Sequence, residues 1–230
     1  MLLQDIRNQI VEYGRRMSED GLTPGTAGNI SIFDSQTGYM AISPSGIPYA
    51  KTLPEDVVIL DLDGNVVEGN RKPSSEHGLH AAFYRTDPEA RAVVHTHSMY
   101  CTILSCMGEP LRSVHYAIAE AQCSVTPLVP YYTFGTPELA QAAAEALRKE
   151  GHGHGLILQN HGMCAYGPSI EKAYGLALTM EWCAQVQWHC MAAGKMNVLT
   201  DAQMKVAMEH YKTYGQVGSD GTHAGGYSGV

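Results

Sequence analysis

A run of β-branched residues that ends in two histidines constrains this chain more than any other feature. The run AVVHTHS spans residues 92–98, and His95 and His97 stand two positions apart within it. Residues i and i+2 of a β-strand point to the same side of a sheet, so Val93, His95 and His97 are predicted to share one face. A buried face is normally apolar. Two imidazoles on it therefore indicate a metal site, a hydrogen-bond network or an exposed strand end.

The remaining apolar patterns favour short strands in hairpin-like groups, with helices interspersed irregularly. Residues 3–17 repeat apolar side chains at helical spacing, and four short strands follow, of which the last two are joined by the hairpin-type turn DLDGN. Nothing resembles eight regular strand–helix repeats, which excludes a TIM barrel. We predict an α/β fold with a mostly antiparallel central sheet and helices on both faces.

Three later helices carry recognisable end signals. One is predicted to begin at the N-cap Thr136, with Pro137 in its first turn, and to end at Gly151. A long helix rich in Ala and Met is predicted over residues 169–193. In the last helix, Thr200 and Gln203 have the spacing of a capping box.

Composition limits the class of protein and its partners. The chain has 230 residues and a net charge of −8, with no basic run, so nucleic acid is not an expected partner. No stretch of 18 apolar residues occurs, and Asp5 and Arg7 interrupt the N-terminal apolar pattern, so neither a membrane span nor a signal peptide is expected. Six cysteines without C-x-x-C spacing indicate reduced thiols and a cytoplasmic protein. We predict one domain over residues 1–215 and a flexible Gly/Ser-rich tail over residues 216–230.

A metal site needs more than the two histidines of the H-x-H run. His161, in LQNHGMC, is a candidate third ligand at a turn, and Glu76, in PSSEHG, is a candidate fourth. Imidazole and carboxylate groups suit Zn²⁺. The spacing alone does not connect His161 to the pair, and other histidines compete with it as ligands: His77, His80, His115, His152 and His154.

Three stretches of small polar residues suit a phosphate group. They are TPGTAGNIS (residues 23–31), ISPSGIP (42–48) and PSSE (73–76), the last at a predicted helix start. Hydroxyl groups, a carboxamide, free backbone N–H groups and a helix N-terminus can hold a phosphate without Lys or Arg. Ordinary turns and a Ser N-cap would also explain these residues. No Walker-type or G-x-G-x-x-G motif occurs, so no nucleotide site is predicted.

Eight motifs in order resemble the class II aldolase/adducin family over about residues 3–215. They are GTAGNIS, ISPSGIPY, KPSSEHGLH, AVVHTHS, VHY, FGTPEL, NHG and YKTYG. The resemblance implies one Zn²⁺ per subunit, with Mn²⁺ or Co²⁺ as alternatives, and the ligands His95, His97, His161 and Glu76. It also implies the mostly antiparallel sheet between helices.

The same resemblance implies a phosphate site and a shared active site. The phosphate would be held by Thr26, Gly28, Asn29, Ser45, Gly46, Ser74 and Ser75. Tyr116 and Tyr214 would reach the site from a neighbouring subunit of a homotetramer. Asn160, Tyr211 and the segment 117–130 depart from the family pattern, which leaves the aldehyde half of the substrate open.

The activity implied is reversible cleavage of a ketose 1-phosphate, such as L-fuculose 1-phosphate or 5-deoxyribulose 1-phosphate, to dihydroxyacetone phosphate and an aldehyde. Glu76 would be the acid/base, Tyr116 would pass the proton at the C4 oxygen, and Tyr214 would close the pocket. The alternative functions are those of an L-ribulose-5-phosphate 4-epimerase-like enzyme, a sugar-acid phosphate decarboxylase, and a non-enzymatic adducin-like binding module. A binding module has no need of all four ligands, which favours an enzyme.

Overall fold

The computed structural model describes residues 1–214, 216–217 and 223–224. The helices are α1 (Gln4–Glu19), α2 (His77–Thr86), α3 (Met99–Met107), α4 (Pro137–Leu147), α5 (Ile170–Ala192) and α6 (Asp201–Tyr211). The strands are β1 (Asn29–Asp34), β2 (Tyr39–Ile42), β3 (Val58–Asp61), β4 (Val66–Glu68), β5 (Ala92–Thr96), β6 (Leu111–Arg112), β7 (Val125–Thr126), β8 (Leu128–Val129), β9 (Gly155–Leu158), β10 (Gly162–Gly167), β11 (Gln216–Val217) and β12 (His223–Ala224).

An eight-stranded sheet forms the centre of the molecule, in the order β4-β3-β2-β1-β5-β10-β9-β8. All neighbouring strands in it are antiparallel except β8 and β9, which are parallel. This confirms the predicted mostly antiparallel sheet. Strand β5 lies between β1 and β10, so His95 near its C-terminal end and His97 directly after it lie in the middle of the sheet.

Helices cover both faces of this sheet, as predicted. On one face, Met17 of α1, Leu104 of α3, Met180 of α5 and Met204 of α6 belong to one buried apolar cluster. On the other face, α2 and α4 supply Leu79, Phe83, Leu139 and Leu147 to a second cluster. Strand β5 alternates between them, since Ala92 and Val94 join the first cluster and Val93 joins the second. By this alternation, His95 lies on the α2 side.

The predicted helix starts are confirmed, and one predicted end is wrong. Thr136 Oγ1 accepts a hydrogen bond from the Leu139 N–H, and Thr200 and Gln203 form the capping box. Helix α4 ends at Leu147 rather than at Gly151. The chain tightens there into turns whose N–H groups bond three residues back, as Lys149 N does to Ala146 O at 3.3 Å.

Several short elements carried no sequence signal. Strands β6, β7 and β8 have two residues each, too few to show an alternation.

Among the described residues, no helix is both long and apolar enough to cross a membrane. The domain boundary after residue 215 and the flexibility of residues 216–230 stay predictions, because that segment, apart from β11 and β12, lies outside the described residues.

Arg7 of α1 connects the N-terminal helix to the sheet. Its side chain is 1% exposed and donates to the backbone carbonyls of Leu2, Pro54 and Val57. It also pairs with Glu68 of β4 at 2.8 Å. Four acceptors therefore depend on one guanidinium.

We expect Arg7→Met to lower the free energy of unfolding by about 2–3 kcal/mol, because the methionine leaves buried carbonyls without a donor. Denaturant unfolding measures this change. Arg85→Met is the matched control: Arg85 is half-exposed and pairs with the exposed Asp63, so its loss is expected to cost less than about 0.5 kcal/mol. Equal losses in the two variants would contradict the role given to Arg7.

Candidate metal centre

The four predicted ligands converge at the end of β5. One donor atom from each of Glu76, His95, His97 and His161 lies within 4.8 Å of the others. His95 Nε2 and His97 Nε2 are 3.1 Å apart, which places the two side chains on one side of the strand as the spacing predicted. The three rings meet edge to face in every pair, with centroids 4.7–5.0 Å apart.

A backbone carbonyl orients the most buried imidazole. His95 Nδ1 lies 2.9 Å from the carbonyl oxygen of Met163 in β10, and this oxygen can only accept, so Nδ1 carries a proton. In the neutral ring, the Nε2 lone pair then faces the other imidazoles. A histidine that ligates a metal typically donates its second N–H in this way.

His161 reaches the cluster from the turn between β9 and β10. Asn160 takes a left-handed conformation there, with φ 54°, and Gly162 starts β10. A Cβ at position 162 would lie 2.2 Å from the Thr96 carbonyl oxygen, so only glycine permits this approach of β10 to β5. The close approach brings His161 beside His95 of β5 and His97, which directly follows the strand.

Glu76 completes the cluster from the N-cap position of α2. Its Oε2 accepts a hydrogen bond from Asn29 Nδ2 at 2.9 Å and lies 3.3 Å from His95 Nε2. Its Oε1 lies 3.4 Å from His161 Nε2 and is buried without a hydrogen-bond partner. A buried carboxylate oxygen without a donor is costly, and a cation would satisfy it.

The charge states within the cluster suit a divalent cation. Burial would raise the pKa of Glu76, but attraction to His95 and His161 outweighs it and holds that pKa below its usual range. Burial lowers the pKa of His97 and of His161 to about 4, so both rings are neutral at pH 7. Burial opposes a charge on His95, but attraction to Glu76 prevails and raises its pKa. A bound cation would replace the proton that His95 Nε2 carries in the charged ring.

A cavity of about 340 Å³ opens beside the cluster, and Glu76, His97 and His161 form part of its wall. Every residue predicted to bind phosphate also lines it: Thr26, Gly28, Asn29, Ser45, Gly46, Ser74 and Ser75. No Lys or Arg is among the described lining residues. The structure thus brings the two predicted sites together, while the ligand and phosphate roles of these residues stay predictions.

Backbone contacts hold the loops of this cavity in place. Ser45 N donates to Lys72 O at 2.9 Å and Ser74 N donates to Ser43 O at 3.2 Å, which joins the second and third small-residue stretches. Gly28 has a positive φ of 72°, and a Cβ there would lie 2.6 Å from the His95 carbonyl oxygen. The first stretch therefore lies directly against the histidine strand.

Three aromatic residues and one amide in the same cavity were not predicted. Tyr131, Tyr132 and Phe134 precede α4, line the cavity and are 58%, 40% and 65% exposed. Asn160 lines it beside His161. The signal in the sequence is the aromatic cluster VPYYTFG, which lies directly before a helix start where turn residues are usually polar.

Tyr116 and Tyr214 lie at a different place on the molecule. Together with His115, Trp182 and Tyr211 they line a separate hollow of about 170 Å³, and they are 54% and 55% exposed. Neither lines the cavity beside the histidines within the described chain. A part for them in this site requires a second subunit, and it stays a prediction.

The family follows from comparison with known sequences. The model of the Class II Aldolase and Adducin N-terminal domain matches residues 8–188. The chain belongs to this family. The resemblance inferred from eight motifs is thereby confirmed, and the matched residues include the whole metal cluster and its cavity.

Relatives over nearly the full length are named as aldolases. The 5-deoxy-D-ribulose 1-phosphate aldolase of Bacillus thuringiensis is 44% identical over 94% of this chain and 100% of the relative. An L-fuculose phosphate aldolase of Escherichia coli is 40% identical over 91% of this chain and 95% of its own. A solved L-fuculose 1-phosphate aldolase superposes with a TM-score of 0.88 at 37% identity, over 92% of this chain and 98% of that one. The chain is therefore a class II aldolase, and the predicted enzyme of the lyase class is confirmed.

Proposed function

We propose that this class II aldolase reversibly cleaves a ketose 1-phosphate to dihydroxyacetone phosphate and an aldehyde at a zinc centre. The observation that carries the proposal is that the Glu/His cluster and the three small-residue stretches line the same cavity. Two imidazoles and the carboxylate of the cluster line one end of it, and hydroxyl, amide and backbone groups with three aromatic rings line the rest. No Lys or Arg is among the described lining residues. A sugar phosphate presents matching groups, namely a carbonyl with an adjacent hydroxyl, and an anion.

Zinc is the proposed metal because the donor set is three imidazoles and one carboxylate. The chemistry that the ion supplies here is Lewis-acid stabilisation of the negative charge that develops at the C2 oxygen as the C3–C4 bond breaks. His95, His97 and His161 would hold it, with Glu76 as a fourth, exchangeable ligand.

Glu76 is the proposed acid/base. As the C3–C4 bond breaks, the electron pair of this bond moves to C3 and the C2 oxygen, and the C4 hydroxyl gives up its proton to become the aldehyde carbonyl. Glu76, once protonated at the expense of that hydroxyl, delivers a proton to C3. In the synthetic direction the carboxylate removes the same proton. The hydrogen bond from Asn29 holds Oε2, which leaves Oε1 as the oxygen that exchanges the proton.

The cavity walls suit the phosphate group without a charged partner. Ser45, Ser74 and Ser75 offer hydroxyl donors, and Thr26 and Asn29 offer two further polar side chains. The N-terminus of α2 begins directly after Ser75 and Glu76, and it favours negative charge. We propose that these groups hold the substrate phosphate.

Tyr116 and Tyr214 are proposed to act on the cavity of a neighbouring copy in a homotetramer. Tyr116 would pass the proton of the C4 hydroxyl, and Tyr214 would close the pocket over the substrate. The support is their exposure and their place in an aromatic patch with Tyr211, whose ring is 6.5 Å from Tyr116 and 5.4 Å from Tyr214. An exposed aromatic patch is typical of a subunit interface.

The proposed substrates are deoxyketose 1-phosphates, with 5-deoxyribulose 1-phosphate and L-fuculose 1-phosphate as the main candidates. The names of the relatives support them. Tyr131, Tyr132 and Phe134 also support them, since their rings give the cavity apolar surface for a terminal methyl group. All six cysteines are unpaired, which supports the cytoplasm as the location.

A panel of ketose 1-phosphates tests this function. We expect 5-deoxyribulose 1-phosphate or L-fuculose 1-phosphate to give the highest kcat/KM, ahead of rhamnulose, 5-deoxyxylulose and methylthioribulose 1-phosphates. Release of dihydroxyacetone phosphate is followed by coupled reduction with NADH. The matched unphosphorylated ketoses are the controls. They would release dihydroxyacetone rather than its phosphate, so their cleavage is followed through the aldehyde product, and they should react far more slowly because no phosphate occupies the proposed phosphate site. Absence of dihydroxyacetone phosphate with every substrate would refute the proposal.

A further inference from the structure

A chain of four hydrogen bonds among buried side chains leads to Glu76. Tyr84 OH lies 2.5 Å from Ser31 Oγ, and Ser31 Oγ lies 2.6 Å from His80 Nδ1. His80 Nε2 contacts Asn29 Oδ1, and Asn29 Nδ2 lies 2.9 Å from Glu76 Oε2. All five residues are buried, and His80 has no exposed surface.

Two regular elements bring these side chains together. Asn29 and Ser31 are two residues apart in β1 and therefore point to the same side of the sheet. His80 and Tyr84 are four residues apart in α2, and His80 follows Glu76 by four, so the three residues share one face of the helix. The chain of hydrogen bonds thus joins the helix that carries Glu76 to the strand beside β5.

The chemistry of the groups fixes the direction of the bonds near Glu76. An ionised carboxylate only accepts, so Asn29 must direct its NH₂ group to Glu76 and its carbonyl oxygen to His80. That carbonyl oxygen also only accepts, so His80 Nε2 must carry a proton. This holds whether the ring is neutral or charged. In the neutral ring, Nδ1 accepts from Ser31, whose oxygen accepts from Tyr84.

We propose that His80 is a positioning residue for the aldol reaction: its Nε2–H fixes the orientation of the Asn29 amide, and the amide fixes which oxygen of Glu76 is held. The inference rests on the proposed acid/base role of Glu76. With Oε2 held, Oε1 is the oxygen that stays available for a metal ion or a proton.

Loss of the His80 donor would release this constraint. The Asn29 carbonyl would be left buried without a partner, and the amide would gain by turning over, which would place its oxygen against the Glu76 carboxylate. Asn29 also lines the cavity, so the same turn would change which polar atom of its amide is available to a phosphate bound there. Through Asn29, His80 would therefore affect both the acid/base Glu76 and the phosphate site, although it does not itself line the cavity.

Two substitutions separate this role from packing. His80→Phe keeps a ring of similar size but has no donor, whereas His80→Gln keeps an N–H donor and an acceptor but has no ring. We expect His80→Phe to lower kcat about 10- to 100-fold and to weaken zinc binding by a similar factor, as is typical for groups that orient metal ligands. We expect His80→Gln to stay within about 3-fold of the wild type in both.

The zinc dissociation constant is measured by competition with a chromophoric chelator, which requires no catalysis. If packing were the only role of His80, the Phe variant would keep its function and the Gln variant would lose it. Equal losses in the two variants, or no loss in either, would also overturn the proposal. Thermal unfolding with zinc present shows whether each variant is folded.

A second pair of variants keeps the test decisive if His80→Phe does not fold. His80→Asn is as polar as His80→Gln, but its shorter side chain cannot reach Asn29 Oδ1. We expect the Asn variant to lose kcat and zinc affinity and the Gln variant to keep them, and equal behaviour would count against the inference. If the wild type cleaves no ketose phosphate while the zinc affinities still differ as expected, the proposed function fails and the positioning role survives.

Discussion

Removal of the metal by dialysis against a chelator is expected to lower aldol cleavage by at least about 10³-fold, and added zinc is expected to restore it. In the proposed mechanism, the charge that develops on the substrate lies where the imidazole cluster converges. One well-placed electrostatic group commonly contributes a factor of 10²–10³ or more. Initial rates measured alongside the zinc content of the same samples test this. The midpoint of thermal unfolding should rise with zinc concentration, because the ion binds the folded chain.

Single substitutions give this experiment its control. His97→Ala removes one of three imidazoles and should lower both the zinc content and the rate. His210→Ala removes an exposed histidine of α6 and should change neither. Full activity in samples with less than about one-hundredth of a zinc ion per chain would exclude catalysis by the metal.

Glu76→Gln is expected to lower kcat by a factor of roughly 10²–10⁴ with little change in KM, because an amide neither delivers nor accepts the proton at C3. The amide oxygen of the variant can still accept the hydrogen bond from Asn29, and the three histidines remain. Substrate and zinc should therefore still bind. Steady-state kinetics and zinc analysis of the same preparation test the two parts separately.

The control for this substitution is Glu138→Gln, at an exposed carboxylate in the first turn of α4. It should keep the wild-type kcat. If Glu76→Gln cleaved substrate at a rate near that of the wild type, another group would have to be the acid/base. If it instead lost zinc, Glu76 would be needed as a permanent ligand rather than an exchangeable one.

The sequence predicted the local geometry of the site better than its assembly. The alternation of a strand was enough to place His95 and His97 on one side, and the structure shows them there. His161 stands 64 positions after His97, and no local rule connects the two. Only the resemblance to a family brought them together, because the approach of β10 to β5 depends on the whole sheet and on the absence of a side chain at Gly162.

Features that depend on tertiary contacts were not predicted. The aromatic residues Tyr131, Tyr132 and Phe134 looked like part of a connecting loop, and their place in the cavity follows from the pairing of β8 with β9. The hydrogen bonds of His80 were equally hidden, since this histidine first appeared as one of several competing ligands. In contrast, the helix starts at Thr136 and Thr200 depend on neighbouring residues alone and were predicted correctly.

The central position of β5 has a consequence for the order in which the molecule assembles. The four donor groups come from positions 76 to 161, and they meet only when β5 has paired with β1 on one side and β10 on the other. In a zinc finger, the ion organises a short loop and so brings about folding. Here the loops to be closed are long, and their cost must be met by strand pairing before the donors converge. A metal ion would therefore bind after the central strands have paired, and the chain has to fold without help from the ion.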